Sequence, residues 1–192
     1  MKILHRLLFL LILSSCCQDE VVYSNKITEF EKSLIPYLSF DNDFYSDQNG
    51  NSIRASFDPR EFKTSTERPG PESCQLDEYQ NLTGSFRFIS LDLELTLTLS
   101  TFFERRQFKV NEYYYGDENL GIDLFQDCNN DYLNEPFENR IKNIELLDFQ
   151  FTNVIVIEDC SIESQLDKII VSPEKGIDFI LFKDNSYLKL IK

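Results

Sequence analysis

Residues 91–100, LDLELTLTLS, decide the fold of this chain. Five leucines alternate with five polar residues without an exception. In a β-strand this period of two places all the leucines on one face, whereas a helix would scatter them around its axis. The pattern therefore outweighs the intrinsic helix preference of leucine. Because one face is apolar and the other polar, the stretch is typical of an antiparallel sheet with a core on one side and water on the other.

Further strands are expected on both sides of this one, and Phe86 and Phe88 extend it or begin it. Residues 43–57 predict a hairpin whose turn, 47–51, contains an Asn-Gly pair that favours positive φ angles. The apolar run 154–157, VIVI, predicts a strand that is covered on both faces. The other expected strands are 107–115, 122–125, 168–171, 177–182 and 187–191, the last three of which form a meander.

Three segments lack strand patterns. Apolar residues at helical spacing in 25–35 predict a short helix that Asn25 caps and that ends before Pro36. Three prolines and many charges in 58–73 predict a mobile loop. Residues 141–147 are ambiguous, because Ile141, Ile144 and Leu147 also suit a helical turn.

The fold class follows from these patterns. No strand–helix–strand alternation is visible, which disfavours parallel α/β folds. We expect a mostly β protein built on a single antiparallel, meander-type sheet that forms a half-barrel or a sandwich, with at most one or two short helices.

The N-terminus has the order of a secretory signal. Lys2 and Arg6 precede the apolar run 7–13, which is too short to span a bilayer as a helix. The run ends in Leu-Ser-Ser-Cys at 13–16, which resembles the lipobox of bacterial lipoproteins. The resemblance implies a signal peptide at 1–15, a lipid on Cys16, a lipidated tether at 16–24 and one β-rich domain at 25–192. The alternative is an ordinary secretory signal with incidental cysteines.

The residues after Cys16 refine this address. Gln18, Asp19 and Glu20 resemble the export signal of surface lipoproteins in Bacteroidota-type bacteria, although its frequent lysine is missing. The segment 172–177, SPEKGI, is similar to a turn near the end of such lipoproteins. These resemblances imply an outer-membrane protein on the cell surface, with the periplasmic face as the alternative. The acidic pair is otherwise the start of a solvated tether.

Composition excludes several functions. With 33 acidic against 19 basic residues the net charge is −14, which argues against nucleic acid as a partner. The only histidine, His5, lies in the expected signal, so histidine-dependent nucleophiles and zinc sites are excluded from the mature chain. We expect no cofactor.

Four cysteines remain if Cys16 is acylated. An oxidising compartment makes one disulfide among Cys74, Cys128 and Cys160 plausible, with the pairing open, and all three could equally be reduced and buried. Cys17, beside the membrane, is a poor candidate for a core bond.

Three further patterns bear on chemistry. Residues 127–138 place oxygen-bearing side chains at calcium-loop positions, but Tyr132 replaces the required glycine, so an acidic surface loop is favoured and no metal site is expected. Asp43, Asp47, Asn49 and Asn51 suit turn formation better than a metal. The run 113–115, YYY, offers a binding platform or, as we favour, sheet packing.

The function expected from the sequence is that of a non-enzymatic, membrane-anchored envelope lipoprotein. Its concave sheet would bind a protein partner or a small ligand. The alternatives are a carboxylate-based hydrolase of cell-surface polymers and an accessory lipoprotein of an envelope assembly. No pair of carboxylates stands out in so acidic a chain, so no catalytic residue is assigned.

Overall fold

The computed structural model describes residues 19–68, 70, 73–102, 105–114, 122–125, 136–158 and 164–191. The described residues contain one α-helix, α1 (Glu29–Ser33), and 3₁₀ turns at Ile89–Leu91 and Phe137–Arg140. The strands are β1 (Glu20–Ser24), β2 (Asp41–Asp47), β3 (Ser52–Phe57), β4 (Glu61–Glu67), β5 (Gln75–Phe88), β6 (Leu93–Phe102), β7 (Arg105–Tyr114), β8 (Ile122–Phe125), β9 (Lys142–Leu146), β10 (Phe149–Glu158), β11 (Leu166–Ser172), β12 (Gly176–Phe182) and β13 (Tyr187–Ile191). The protein is therefore mostly β, as predicted.

The strands form one sheet in the order β1-β5-β3-β2-β13-β12-β11-β10-β8-β7-β6. β4 pairs with β5, and β9 pairs with the first half of β10. Among the described pairs, β1–β5 is parallel and the others are antiparallel. Because β6 pairs with both β7 and β5, the path of neighbours turns back on itself and the sheet curls around its core.

The leucine alternation of β6 behaves as predicted. Leu93, Leu95, Leu97 and Leu99 are buried in the main core, and the polar residues between them are half-buried. Leu91 falls in the preceding 3₁₀ turn, so the strand begins two residues later than the pattern suggests. Phe86 and Phe88 belong to β5, the neighbouring strand, rather than to the leucine strand.

A second, smaller core covers the outer face of β10–β12. Successive residues of 154–157 alternate between the two cores, which confirms that this apolar run is covered on both sides. The cover on the outer side is the β9–β10 hairpin, whose Ile144, Leu146 and Phe149 pack there. Asn153 has a φ of 56° next to a register shift in β10, which lets the strand bend and fold its first half over the sheet.

Several expectations of local structure need correction. The helix in 25–35 exists, but Thr28 caps it through a capping box with Glu31, while Asn25 bonds to a strand. The expected loop 58–73 contains β4, which is exposed along its whole length and gave no apolar pattern to detect. The ambiguous segment 141–147 forms β9. The hairpin of β2 and β3 and the meander of β11, β12 and β13 are confirmed.

The sheet begins before residue 25, the expected start of the domain. β1 lies inside the segment 16–24 that the lipobox assigns to the tether, and it pairs in parallel with the start of β5. The described chain is therefore already hydrogen-bonded to the sheet at Glu20, whose amide donates to the Cys74 carbonyl at 3.0 Å.

Candidate functional site: a cavity at one end of the sheet

The concave face of the sheet is filled by its own side chains. Its core draws side chains from strands between β2 and β13, and the fully buried ones include Tyr45, Phe86 and Phe88. The middle of that face leaves no room for a ligand, and the expectation of ligand binding on the concave sheet stays a prediction. The candidate site lies instead at one end of the curl.

A cavity of about 490 Å³ opens where β5 passes into β6 and where β7 ends. The β2–β3 and β12–β13 turns and the start of β11 complete it. Its lining residues are Asp47, Gln48, Ile53, Leu91, Leu93, Tyr114, Ser164, Gln165, Phe182, Lys183, Asp184, Ser186, Tyr187 and Leu188. The volume is in the range of small-molecule pockets, which also combine apolar walls with a few polar groups.

The apolar wall of the cavity is formed at the ends of strands, where side chains are no longer covered by neighbouring strands. Leu93 is the first inward residue of β6, while Leu91 in the 3₁₀ turn is 38% exposed. Asp92 between them takes a left-handed conformation with φ 51°, which turns the chain sharply at this point. Ile89 of the same turn is 71% exposed, so the turn presents apolar surface to solvent outside the cavity as well.

A buried carboxylate lies behind the cavity wall. Glu112 is fully buried and accepts short hydrogen bonds from the hydroxyls of Tyr114 and Ser164, two residues that line the cavity. Ser164 Oγ in turn accepts from the amide of Leu166 at 2.9 Å. Burial, the hydrogen bond to Glu112 and the charge of that carboxylate raise the pKa of Tyr114 well above its ordinary value. The phenol therefore stays protonated and keeps donating to Glu112.

The carboxylates at the cavity rim, Asp47 and Asp184, accept hydrogen bonds from their own turns. Asp47 Oδ1 accepts from the amides of Asn49 and Asn51, at 2.9 and 2.7 Å, and bonding with Asn51 lowers its pKa. Asp184 Oδ1 accepts from the hydroxyl and the amide of Ser186, which lowers its pKa as well. Both groups are held ionised by these bonds, which makes them poor proton donors at neutral pH.

β7 carries a second buried charged residue near its other end. Arg106 Nη1 lies 2.6 Å from Glu31 Oε1, and Glu31 is fully buried. Arg106 also donates to the Lys26 carbonyl and to Asn25 Oδ1. The pair joins α1 to the sheet. Arg106 and Glu112 both occupy inward positions of β7, in which inward and outward residues alternate. A charged residue at a position where the alternation requires an apolar one is the sequence signal that could have identified both.

The residues proposed for export lie at the edge of the described chain. Cys16 and Gln18 lie outside the described residues. The Asp19 carboxylate receives two hydrogen bonds of 2.7 Å from Arg68 Nη2, and Glu20 is the first residue of β1. The structure gives both a structural environment, and their part in export stays a prediction.

The structure also places part of the calcium-like segment, the tyrosine run and the Asp47 turn. The calcium-like segment lies outside the described residues up to position 135, and Phe137 at its end is buried in the main core. The described residues contain no group of three candidate metal ligands. Of the three tyrosines, Tyr113 is exposed, Tyr114 lines the cavity and Tyr115 lies outside the described residues. Asp47 organises the β2–β3 turn, as predicted, whereas Asp43 lies within β2.

Cys74 is disulfide-bonded. Cys16, Cys17, Cys128 and Cys160 all lie outside the described residues.

Comparisons of the chain with protein-family models, with curated proteins and with solved structures found no match. None of the helices in the described ranges has the length and apolar character of a membrane span. The interpretation of the cavity therefore depends on its own geometry.

Proposed function

We propose that this protein is a non-enzymatic, lipid-anchored binding protein of the bacterial cell envelope, held at the outer membrane through Cys16. Its ligand is a small, uncharged and largely apolar molecule, or an apolar side chain of a protein partner, that enters the cavity at the end of the sheet. The observation that carries the binding proposal is the cavity itself, which combines an apolar wall with two hydroxyls fixed by Glu112.

The charges around the cavity favour an uncharged ligand. Asp47 and Asp184 are engaged with the backbone of their own turns, and Glu112 is shielded behind Tyr114 and Ser164. An anionic ligand would meet these carboxylates, against which the lining offers one cation, Lys183. The same engagement supports binding over hydrolysis, because a hydrolase needs one carboxyl group that can donate a proton.

The cavity proposal is tested with the uncharged dye Nile red, whose fluorescence rises in an apolar site. Leu91→Trp places a large ring in the cavity wall, and we expect it to weaken dye binding by about tenfold or more, equivalent to about 1.4 kcal/mol. Ile89→Trp is the matched control, because Ile89 belongs to the same turn but is outside the lining. Equal binding by the two variants and the unchanged protein would refute the proposal.

The anchoring proposal has its own test. Radiolabelled palmitate is supplied to a lipoprotein-processing bacterium that expresses the full chain or its Cys16→Ser variant. We expect label and membrane fractionation in the first and neither in the second. Unchanged labelling in the variant would exclude Cys16 as the lipidation site.

A further inference from the structure

Cys74 is disulfide-bonded, and its partner must come from the side of the molecule that Cys74 can reach. Cys74 directly precedes β5, and its carbonyl accepts from the amide of Glu20 at the start of β1. The Cα atoms of a disulfide lie within about 7 Å of each other. The strand register tells which cysteines can meet that limit.

The strand that precedes Cys128, β8, ends far from Cys74 along the direction of the strands. Through β7 and β6, Phe125 lies level with Thr83 of β5. Cys74 precedes Thr83 by nine residues of nearly continuous strand, about 30 Å at 3.3 Å per residue. The three residues from Phe125 to Cys128 span at most about 11 Å, which leaves Cys128 far outside disulfide range.

The strand that precedes Cys160, β10, ends no closer to Cys74. Glu158 pairs with Phe125, so it lies at the same level of the sheet. β10 is antiparallel to β8, so its chain runs away from the end of the sheet that holds Cys74. Two residues extend at most about 7 Å beyond Glu158, in any direction. Cys160 is therefore excluded by the same argument.

The described chain begins beside Cys74. β1 is parallel to β5 with Glu20 opposite Gln75, so the residues before each strand enter the sheet side by side. Arg68 fixes this junction, since one of its nitrogens binds Asp19 and another donates to the Ser73 carbonyl at 2.9 Å. Cys17 precedes Asp19 by two residues, or about 7 Å of chain at most.

We propose that Cys17 and Cys74 form a disulfide that holds the lipid-bearing N-terminus against the start of β5. This inference rests on the proposed function in one respect, because the lipid on Cys16 removes the other cysteine within reach. Two thiols lose two protons and two electrons to a protein disulfide of the oxidising envelope, which is reduced to a dithiol. Cys17, a poor candidate when only a core bond is considered, becomes the favoured partner because Cys74 lies at a sheet edge beside β1.

The bond orients the molecule on the membrane. Lipid, disulfide and the start of β5 then lie within a few residues of one another, so no free tether separates the sheet from the bilayer. The cavity lies beyond the other end of β5, whose 14 residues span about 45 Å. The ligand site therefore faces away from the anchoring membrane, toward the aqueous phase.

Peptide mapping tests the pairing on the full chain, expressed with its own leader and extracted from membranes in detergent. Free thiols are alkylated before proteolysis, and peptides are analysed by mass spectrometry without reduction. We expect the lipidated N-terminal peptide to be linked to the peptide that contains Cys74. A Cys74 linked to Cys128 or Cys160, linked to Cys16, or recovered alkylated overturns the proposal.

Variants separate this proposal from the lipid anchor. Cys17→Ser and Cys74→Ser should each expose one additional alkylatable thiol per chain, whereas Cys128→Ser, the control, should leave the Cys17–Cys74 link intact. Palmitate labelling should persist in Cys17→Ser. A chain that keeps the link but takes up no palmitate refutes the lipid anchor and supports the disulfide. A chain that is labelled with palmitate but lacks the link supports the lipid anchor and refutes the disulfide.

Discussion

Removal of the Arg106 guanidinium should destabilise the protein strongly, because it leaves the fully buried carboxylate of Glu31 without its cation. Breaking a buried ion pair in this way costs about 3–5 kcal/mol. Arg106→Met keeps most of the side-chain volume, so little of the loss arises from a cavity. Lys63→Met is the matched control, since Lys63 pairs with Glu61 on the surface and such pairs contribute about 0–1 kcal/mol.

The assay is equilibrium urea unfolding followed by far-UV circular dichroism and tyrosine fluorescence, which suits a chain with nine tyrosines and no tryptophan. The double variant Glu31→Gln/Arg106→Met should lose less stability than Arg106→Met alone, because no charge then stays buried, while the glutamine oxygen still accepts from the Thr28 amide. A loss below about 1 kcal/mol for Arg106→Met, equal to that of Lys63→Met, would refute the claim that this pair holds α1 to the sheet.

Three further predictions follow from the described contacts. Gly176→Ala should destabilise by well over about 1 kcal/mol in urea unfolding, because its Cβ would lie 1.6 Å from Tyr37 Oη at a φ of +75°, whereas Gly50→Ala, at φ +80° in open space, should show backbone strain alone. Burial raises the pKa of Tyr45 and of Tyr114, so the folded state keeps phenol protons that the unfolded chain releases near pH 10; stability should fall as the pH rises above about 10, and a titration at 295 nm in which all tyrosines ionise before unfolding would contradict this. Under the proposed anchoring through Cys16, Nile red bound in the cavity should escape quenching by brominated lipids, because about 45 Å of strand separates the cavity from the anchor. Strong quenching would contradict the proposed orientation.

The strands that could be predicted are those whose apolar residues form one face or both faces. The leucines of β6 and the run VIVI in β10 bury side chains at the spacing that their patterns require. β4, Glu61–Glu67, shows the limit of the approach. All of its residues are exposed, and it is a strand because β5 offers it a continuous hydrogen-bonding edge. Such a strand depends on its neighbour, and its own sequence shows no alternation of apolar and polar residues that would predict it.

The cavity could not be predicted, because it is made by residues that are distant in the chain. Asp47, Leu91, Ser164 and Asp184 meet only when the sheet has curled and brought several strand ends together. The helix cap failed for a related reason. Asn25 has a good capping side chain, but Arg106 takes its oxygen, and Thr28 with Glu31 offers the reciprocal capping box instead.

The two buried charges of β7 differ in a way that bears on function. Arg106 is compensated by a carboxylate and two further acceptors, and its position is explained by the attachment of α1. Glu112 has two hydroxyl donors, and no cation is bonded to it within the described structure. An apolar residue would fill that inward position without the desolvation cost of a carboxylate. Packing and stability account for the arginine. The glutamate joins β7 to Ser164 before β11, and because the two hydroxyls that it fixes also line the cavity, the proposed binding function gives this costly carboxylate a second role.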